Sequence, residues 1–313
     1  MNTSARSDSG ATSDCDSAQP SGTALVLGGG GSAGNAWLIG VIAGLSDAGM
    51  DVTAADLIVG TSAGSTAAAQ VTSATPAELL AAILDAAPPP RTGPSGSDRG
   101  AGATRPGPNH MQATGAIIAA ATDAADMRRR MGAWALATPA ATDASAQVGW
   151  RTTVAARLPS PLWPERALLI TAVEATTGEP VVFDRNSGVD LVDAVAASCA
   201  GGFAYRIGDR SYIDGGYRCN ADNADLAAGH SRVLVLSPLG GRSRTPVAWG
   251  THLATQVAEL RARGSRVDTI VPDAGSLTAF GDNLMDMSTR RPAARAGYDQ
   301  GRAVARELTE LWR

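Results

Sequence analysis

Short aliphatic runs punctuated by glycine set the pattern of the first part of the chain. "TALVL", residues 23–27, is an aliphatic block ending in glycines and predicts a buried strand. Trp37, Leu38, Val41, Ile42 and Leu45 then recur on one helical face until Gly49 stops it. "ADLIVG" repeats the strand pattern and the small-residue run "TSAGSTAAAQV" predicts a helix. Thr75, Pro76 and Glu78 next form a capping box with proline at the first helical position, opening "AELLAAILDAA". Two strand-to-helix units therefore follow one another. From Ala86 to Pro108 the apolar period gives way to Pro, Gly, Arg and Ser, which predicts a mobile loop or lid, with plain disorder as the alternative. Strand-like "ALLITAV" and "PVVF" come later, then a helix through Leu191, Val192, Val195 and Cys199. "SYIDGG", the strands "RVLVLSPL" and "VDTIV", and a helix from about Pro292 to the end complete the pattern. The alternation predicts an α/β fold of three layers, a mostly parallel central sheet covered by helices on both faces. No internal repeat and no second domain boundary is visible.

Residues 21–46 carry no charge, which resembles a membrane span in length. The glycines cluster inside the stretch and its apolar residues fall in two short blocks, so a buried strand and helix explain it better. Residues 1–21 are rich in Ser, Asp and Ala, lack the basic start and apolar run of a secretory signal, and read as a disordered tail. The 313 residues are 44% hydrophobic, enough to fill a core. A net charge of -4 and the absence of lysine give no basic face, which argues against a nucleic-acid partner. Cys15, Cys199 and Cys219 show no C-x-x-C spacing, so neither a disulfide framework nor a zinc knuckle is suggested and a reducing cytoplasm fits. His110, His230 and His252 are scattered and form no metal motif.

The glycine-rich stretch after "TALVL" can be parsed in three ways. Gly29, Gly31 and Gly34 fit the dinucleotide fingerprint; Gly30, Ser32 and Gly34 fit the G-x-S-x-G nucleophile elbow; or the glycines form a nest of backbone N–H groups. A dinucleotide site needs an acidic residue at the end of the second strand, yet Asp56 stands before that strand, whose end is "GTSAGS". A Rossmann-type nucleotide-binding protein is therefore the alternative reading. G-x-S-x-G occurs again at Ser62, here directly at a strand end with Gly60 and Gly64 two residues to either side, the setting an elbow requires. Ser32 stands beyond four glycines, where nothing would fix its Oγ. With Ser62 as nucleophile, the N–H groups of Gly29, Gly30, Gly31 and Ala63 become candidate oxyanion donors. Asp214 closes a strand at a glycine turn, where a carboxylate could face a cleft.

These blocks together resemble the patatin-like phospholipases. "GGGGSAG" is similar to the family's oxyanion loop, "GTSAGS" to its elbow, "AASCAGGF" to an Ala-Ser-x-Ala helix end, and "YIDGG" with "NADNADLA" to its Asp-Gly-Gly region. The resemblance covers most of the chain and implies one patatin-like hydrolase domain over residues 22–313. It implies a serine acyl hydrolase of the phospholipase A or esterase type, free of metal and cofactor, acting on acyl lipids or small esters. It further implies a Ser62–Asp214 dyad working through an acyl-enzyme. The chain departs from the family at Ala33, where Arg or Lys is usual, and at Gly201, where proline is usual. The missing cation predicts weak phospholipase relative to esterase activity, which Ala33→Arg would reverse. A lid over 86–108 with its arginines predicts peripheral, reversible contact with a membrane surface. A Ser-His-Asp triad using His230 or His252 is the rival enzyme reading. His230 enters a strand, at the end opposite strand-end catalytic groups, and His252 opens a helix.

Overall fold

The computed structural model describes residues 19–87 and 108–312. The tail expected over 1–21 and the loop expected over 86–108 lie, apart from their edges, outside the described residues. Eight strands form one sheet: β1 (Thr23–Leu27), β2 (Leu57–Gly60), β3 (Ala167–Glu174), β4 (Pro180–Phe183), β5 (Tyr205–Ile207), β6 (Arg210–Asp214), β7 (Arg232–Leu236) and β8 (Arg266–Ile270). The helices are α1 (Gly31–Asp47), α2 (Ala63–Val71), α3 (Pro76–Asp85), α4 (Pro108–Ala120), α5 (Ala124–Leu136), α6 (Pro139–Thr142), α7 (Ala144–Ala155), α8 (Leu191–Ser198), α9 (Leu253–Ala262), α10 (Ala274–Phe280) and α11 (Arg290–Trp312).

The strand order is β5-β6-β3-β2-β1-β7-β8, with β4 also paired to β3. The pairs β3–β2, β2–β1, β1–β7 and β7–β8 are parallel, while β4, β5 and β6 add through antiparallel pairs. This is the mixed, mostly parallel sheet flanked by helices that the sequence pattern predicts. Alternate residues of the central strands serve opposite faces, as period-2 side chains must. Leu25, Leu27, Ile58, Leu234 and Leu236 pack with α1, α2 and α8. Ala24, Val26, Val59, Val233 and Val235 pack with Leu253, Val257 and Leu260 of α9.

β3 is the strand that positions the candidate site. Its first half, Ala167–Ile170, pairs with the parallel β2, and its second half, Ala172–Glu174, pairs with the antiparallel β6. β4 covers Ile170–Val173 and overlaps both registers, so it occupies the opposite edge. β2 and β6 thus run toward each other along one edge of β3. Gly60 ends one opposite Ile170 and Asp214 ends the other opposite Ala172.

The uncharged stretch that resembled a membrane span is β1 followed by α1, and among the described residues no helix is long and apolar enough to cross a membrane. Every residue from Ala33 to Leu45 is buried, not one face alone. The reason is the C-terminal helix. Gly40 and Gly44 of α1 face Gly297 and Gly301 of α11 so closely that a Cβ on Gly44 would strike the carbonyl oxygen of Tyr298. A Cβ on Gly301 would likewise strike that of Val41. Small residues four apart on both helices let the two backbones touch. Trp37 anchors the pair by donating its Nε1–H to Ser276 Oγ and Gln300 Oε1, both at 3.1 Å.

Candidate active site

Ser62 stands between β2 and α2 with φ 52° and ψ −117°, a left-handed conformation costly for a residue bearing a Cβ. The turn is held on all sides. Ser62 donates its N–H to Ser198 Oγ at the end of α8 (2.9 Å), and Thr61 donates its N–H to the Leu27 carbonyl (3.1 Å). Gly64 packs against the backbone of β1, where a Cβ would meet the Leu27 carbonyl oxygen, so only glycine allows α2 to start there. The strained turn lifts the serine hydroxyl out of the sheet. Ser62 Oγ donates to Asp214 Oδ2 at 2.8 Å.

Asp214 ends β6 and caps the short turn Gly215–Tyr217, its Oδ1 accepting from the Gly216 N–H at 2.8 Å. Loss of water around the carboxyl pushes its pKa up to about 6, despite the opposing pull of the Gly216 and Ser62 hydrogen bonds. Asn223, itself left-handed at φ 55°, ties the two turns together. Its Nδ2 donates to the Gly215 carbonyl (3.0 Å) and to Thr61 Oγ1 (3.0 Å), and Thr61 Oγ1 lies 2.9 Å from Thr171 Oγ1 of β3. Ser198, Thr171 and Asn223 were not singled out from the sequence. Only the quoted blocks "AASCAGGF" and "NADNADLA" hinted at two of them.

The glycine loop lies against the serine: a Cβ on Gly29 would stand 3.4 Å from the Ser62 Cβ. Of the four candidate oxyanion donors, Gly29 is corrected, because its N–H is already donated to the Ala221 carbonyl at 2.7 Å. The N–H groups of Gly30, Gly31 and Ala63 have no acceptor among the described residues. They sit at the N-terminal ends of α1 and α2, where backbone donors and helix dipole both favour negative charge. The loop is not a flexible run either. α1 begins at Gly31, so Ser32 lies in its first turn, and its Oγ meets Met287 Sδ (3.1 Å) and Arg290 Nη1 (3.5 Å).

The rival readings fare differently. Asp56 lies at the start of β2 and accepts from Thr23 N–H (2.8 Å) and Oγ1 (3.0 Å), the wrong end of the sheet for a ribose. His230 sits just before β7, its Nδ1 3.2 Å from the Ala227 carbonyl oxygen. His252 precedes α9 with Nε2 2.8 Å from the Thr245 carbonyl oxygen. Neither lines the pocket that holds Ser62 and Asp214.

That pocket has a volume of about 540 Å³, and Ser62, Ala63, Asp214 and Gly201 are among the residues that line it. Trp150, Phe203, Met285 and Met287 give it apolar walls, while Arg157 and Arg290 bring two positive charges. Ala33 is fully buried and its N–H is donated to the Leu284 carbonyl oxygen (3.0 Å). A guanidinium reaches the same turn from α11: Arg290 Nη1 donates to the Ser32 carbonyl oxygen (3.1 Å) and both Nη atoms to Asn35 Oδ1 (3.1 Å).

No curated protein matches the chain. The family model described as "Patatin-like phospholipase" matches residues 25–228, more than half of the chain and the span from β1 through the Asp214 and Asn223 turns. The chain belongs to the patatin-like phospholipase family.

Proposed function

We propose that this family member is a serine acyl hydrolase that cleaves carboxylic esters of lipids or small acyl esters through a covalent acyl-Ser62. The observation that carries the reading is the 2.8 Å hydrogen bond from Ser62 Oγ to Asp214 Oδ2 at a strained strand-to-helix turn. As Oγ attacks the ester carbonyl carbon, its proton passes to Asp214 Oδ2 and the carbonyl oxygen becomes an oxyanion. Gly30, Gly31 and Ala63 offer backbone N–H donors for that charge. The tetrahedral adduct collapses by breaking the ester C–O bond, and the leaving alkoxide takes the proton from Asp214. Water then attacks the acyl-serine, giving its proton to Asp214, and release of the carboxylic acid returns the proton to Ser62.

An aspartate alone is a weak base for a hydroxyl, since its ordinary pKa lies near 3.9. Its displacement to about 6 brings it closer to the working range while leaving it ionised at neutral pH. In turnover of 4-nitrophenyl butyrate, Ser62→Ala and Asp214→Asn should each lose roughly three or more orders of magnitude. His230→Ala and His252→Ala should keep most of the activity. A folded histidine variant as inactive as Ser62→Ala overturns the dyad in favour of a triad.

A further inference from the structure

Arginines on a protein surface are ordinary; an arginine drawn into the pocket of a candidate nucleophile without a carboxylate beside it is not. Arg290 is half-buried, and all its hydrogen bonds go to neutral acceptors: the carbonyl and hydroxyl oxygens of Ser32 and the amide oxygen of Asn35. Among the described residues no Asp or Glu pairs with it. Burial and a second cation, Arg157, both work against its charge. Placing like charges together in a partly dry pocket costs stability unless something negative joins them.

The pair is also held in place. Asn35 is buried, accepts from both Nη atoms of Arg290, and donates its own Nδ2 to Gln70 Oε1 (3.1 Å) and to the carbonyl of Ala63 (3.4 Å). Gln70 in turn donates to the backbone carbonyl of Arg157 (3.0 Å), and the Arg157 guanidinium lies 5.5 Å above the Trp150 ring. One amide relay therefore connects the two arginine positions to the first residue of α2, directly after Ser62. The Nε–H of Arg290 has no acceptor among the described residues. A guanidinium fixed in this way presents donors suited to the paired oxygens of a phosphate or carboxylate.

We infer that Arg290, with Arg157 beside it, determines specificity by receiving an anionic oxygen group of the substrate. The esters that this enzyme prefers then carry a phosphate or a carboxylate within reach of the scissile bond. Asn35 is a positioning residue that aims the Arg290 fork. The inference rests on the hydrolase reading for its kinetics, but the binding it requires does not.

Two measurements separate the questions. In the first, kcat/KM is compared for neutral 4-nitrophenyl butyrate, for mono(4-nitrophenyl) glutarate, which carries a carboxylate, and for dibutyroyl glycerophosphate, which carries a phosphate. Arg290→Gln should lower the preference for at least one anionic ester over the neutral one by roughly 10- to 100-fold, Arg290→Lys by less, and Arg157→Gln in the same direction. Whichever anionic ester loses more identifies the group that is read. In the second, calorimetry follows butyl phosphate and butyrate binding to Ser62→Ala protein, with and without Arg290→Gln; the added change should weaken binding of the preferred anion at least tenfold. Loss of activity in equal proportion on all three esters, or anion binding that ignores Arg290, overturns the inference. If no ester is hydrolysed while anion binding depends on Arg290, the hydrolase reading fails and the anion site stands.

Discussion

Ser62 Oγ lies 2.8 Å from Asp214 Oδ2 because β2 and β6 end facing each other, two residues apart on one edge of β3. The contact joins positions 152 apart in the chain, yet it depends on the register of a single strand. Thr171 sits at the junction, between Ile170 opposite Gly60 and Ala172 opposite Asp214, and its hydroxyl joins the Thr61–Asn223 network that fixes both turns.

The raised carboxyl predicts the pH profile. Asp214 accepts a proton only when ionised, so kcat/KM on a neutral ester should rise with a single ionisation near pH 6 and stay level above it. His230→Ala and His252→Ala should leave that limb where it is. A limb that moves or vanishes in either histidine variant contradicts Asp214 as the base.

Asp222 predicts a pH effect on stability rather than rate. It is buried beside the glycine loop with Oδ1 unpaired, in the space a Cβ on Gly28 would need, and burial pushes its pKa up to about 7. The folded state then binds a proton more tightly than the unfolded chain, so stability is greatest below pH 4 for this group and is lost as pH rises through about 7. Asp214 adds a loss of the same sign, completed near pH 6. Asp222→Asn should raise Tm at pH 8.5 more than at pH 5; an equal change at both values would remove the ionisation account.

Ser198 predicts a role for the far side of the elbow. Its Oγ is the acceptor of the Ser62 N–H, and Ser198→Ala leaves that donor unpaired in a half-buried turn at a cost of about 1 kcal/mol. Thermal unfolding should register the loss, and kcat should fall roughly tenfold as the proposed nucleophile loses its fixed orientation. Unchanged kcat with lowered Tm would make the contact purely structural.

The α1–α11 contact predicts an intolerance that composition conceals. Gly44→Val drives a side chain into the Tyr298 carbonyl and should cost about 3 kcal/mol or more, whereas Gly49→Ala, with nothing near its Cβ but a positive φ, should cost about 1 kcal/mol. Denaturant unfolding of both variants measures the difference.

Much of this was legible before the structure. β1, β2 and the elbow follow from "TALVL", "LIVG" and the spacing of Gly60, Ser62 and Gly64, because strand, tight turn and helix each leave a local mark. Partners distant in sequence leave none. Nothing near Gly29 says that its N–H is taken by Ala221, and nothing near Ala33 says that Arg290, 257 positions on, supplies a cation to the same helix turn. α5 went unread since Met127 and Met131 bury one narrow stripe around three exposed or half-exposed arginines. The antiparallel entry of β6 depends on pairing with β3, which no local pattern encodes.

Ser62 as the proposed nucleophile and Asp214 as its base are open to chemical test. The most direct is labelling of the folded chain with a fluorophosphonate, read by intact mass and peptide mapping. One adduct on Ser62 is expected, none with Ser62→Ala, and labelling slowed by orders of magnitude with Asp214→Asn. An adduct on Ser32 or another serine, or ester hydrolysis that survives in Ser62→Ala, would contradict this assignment.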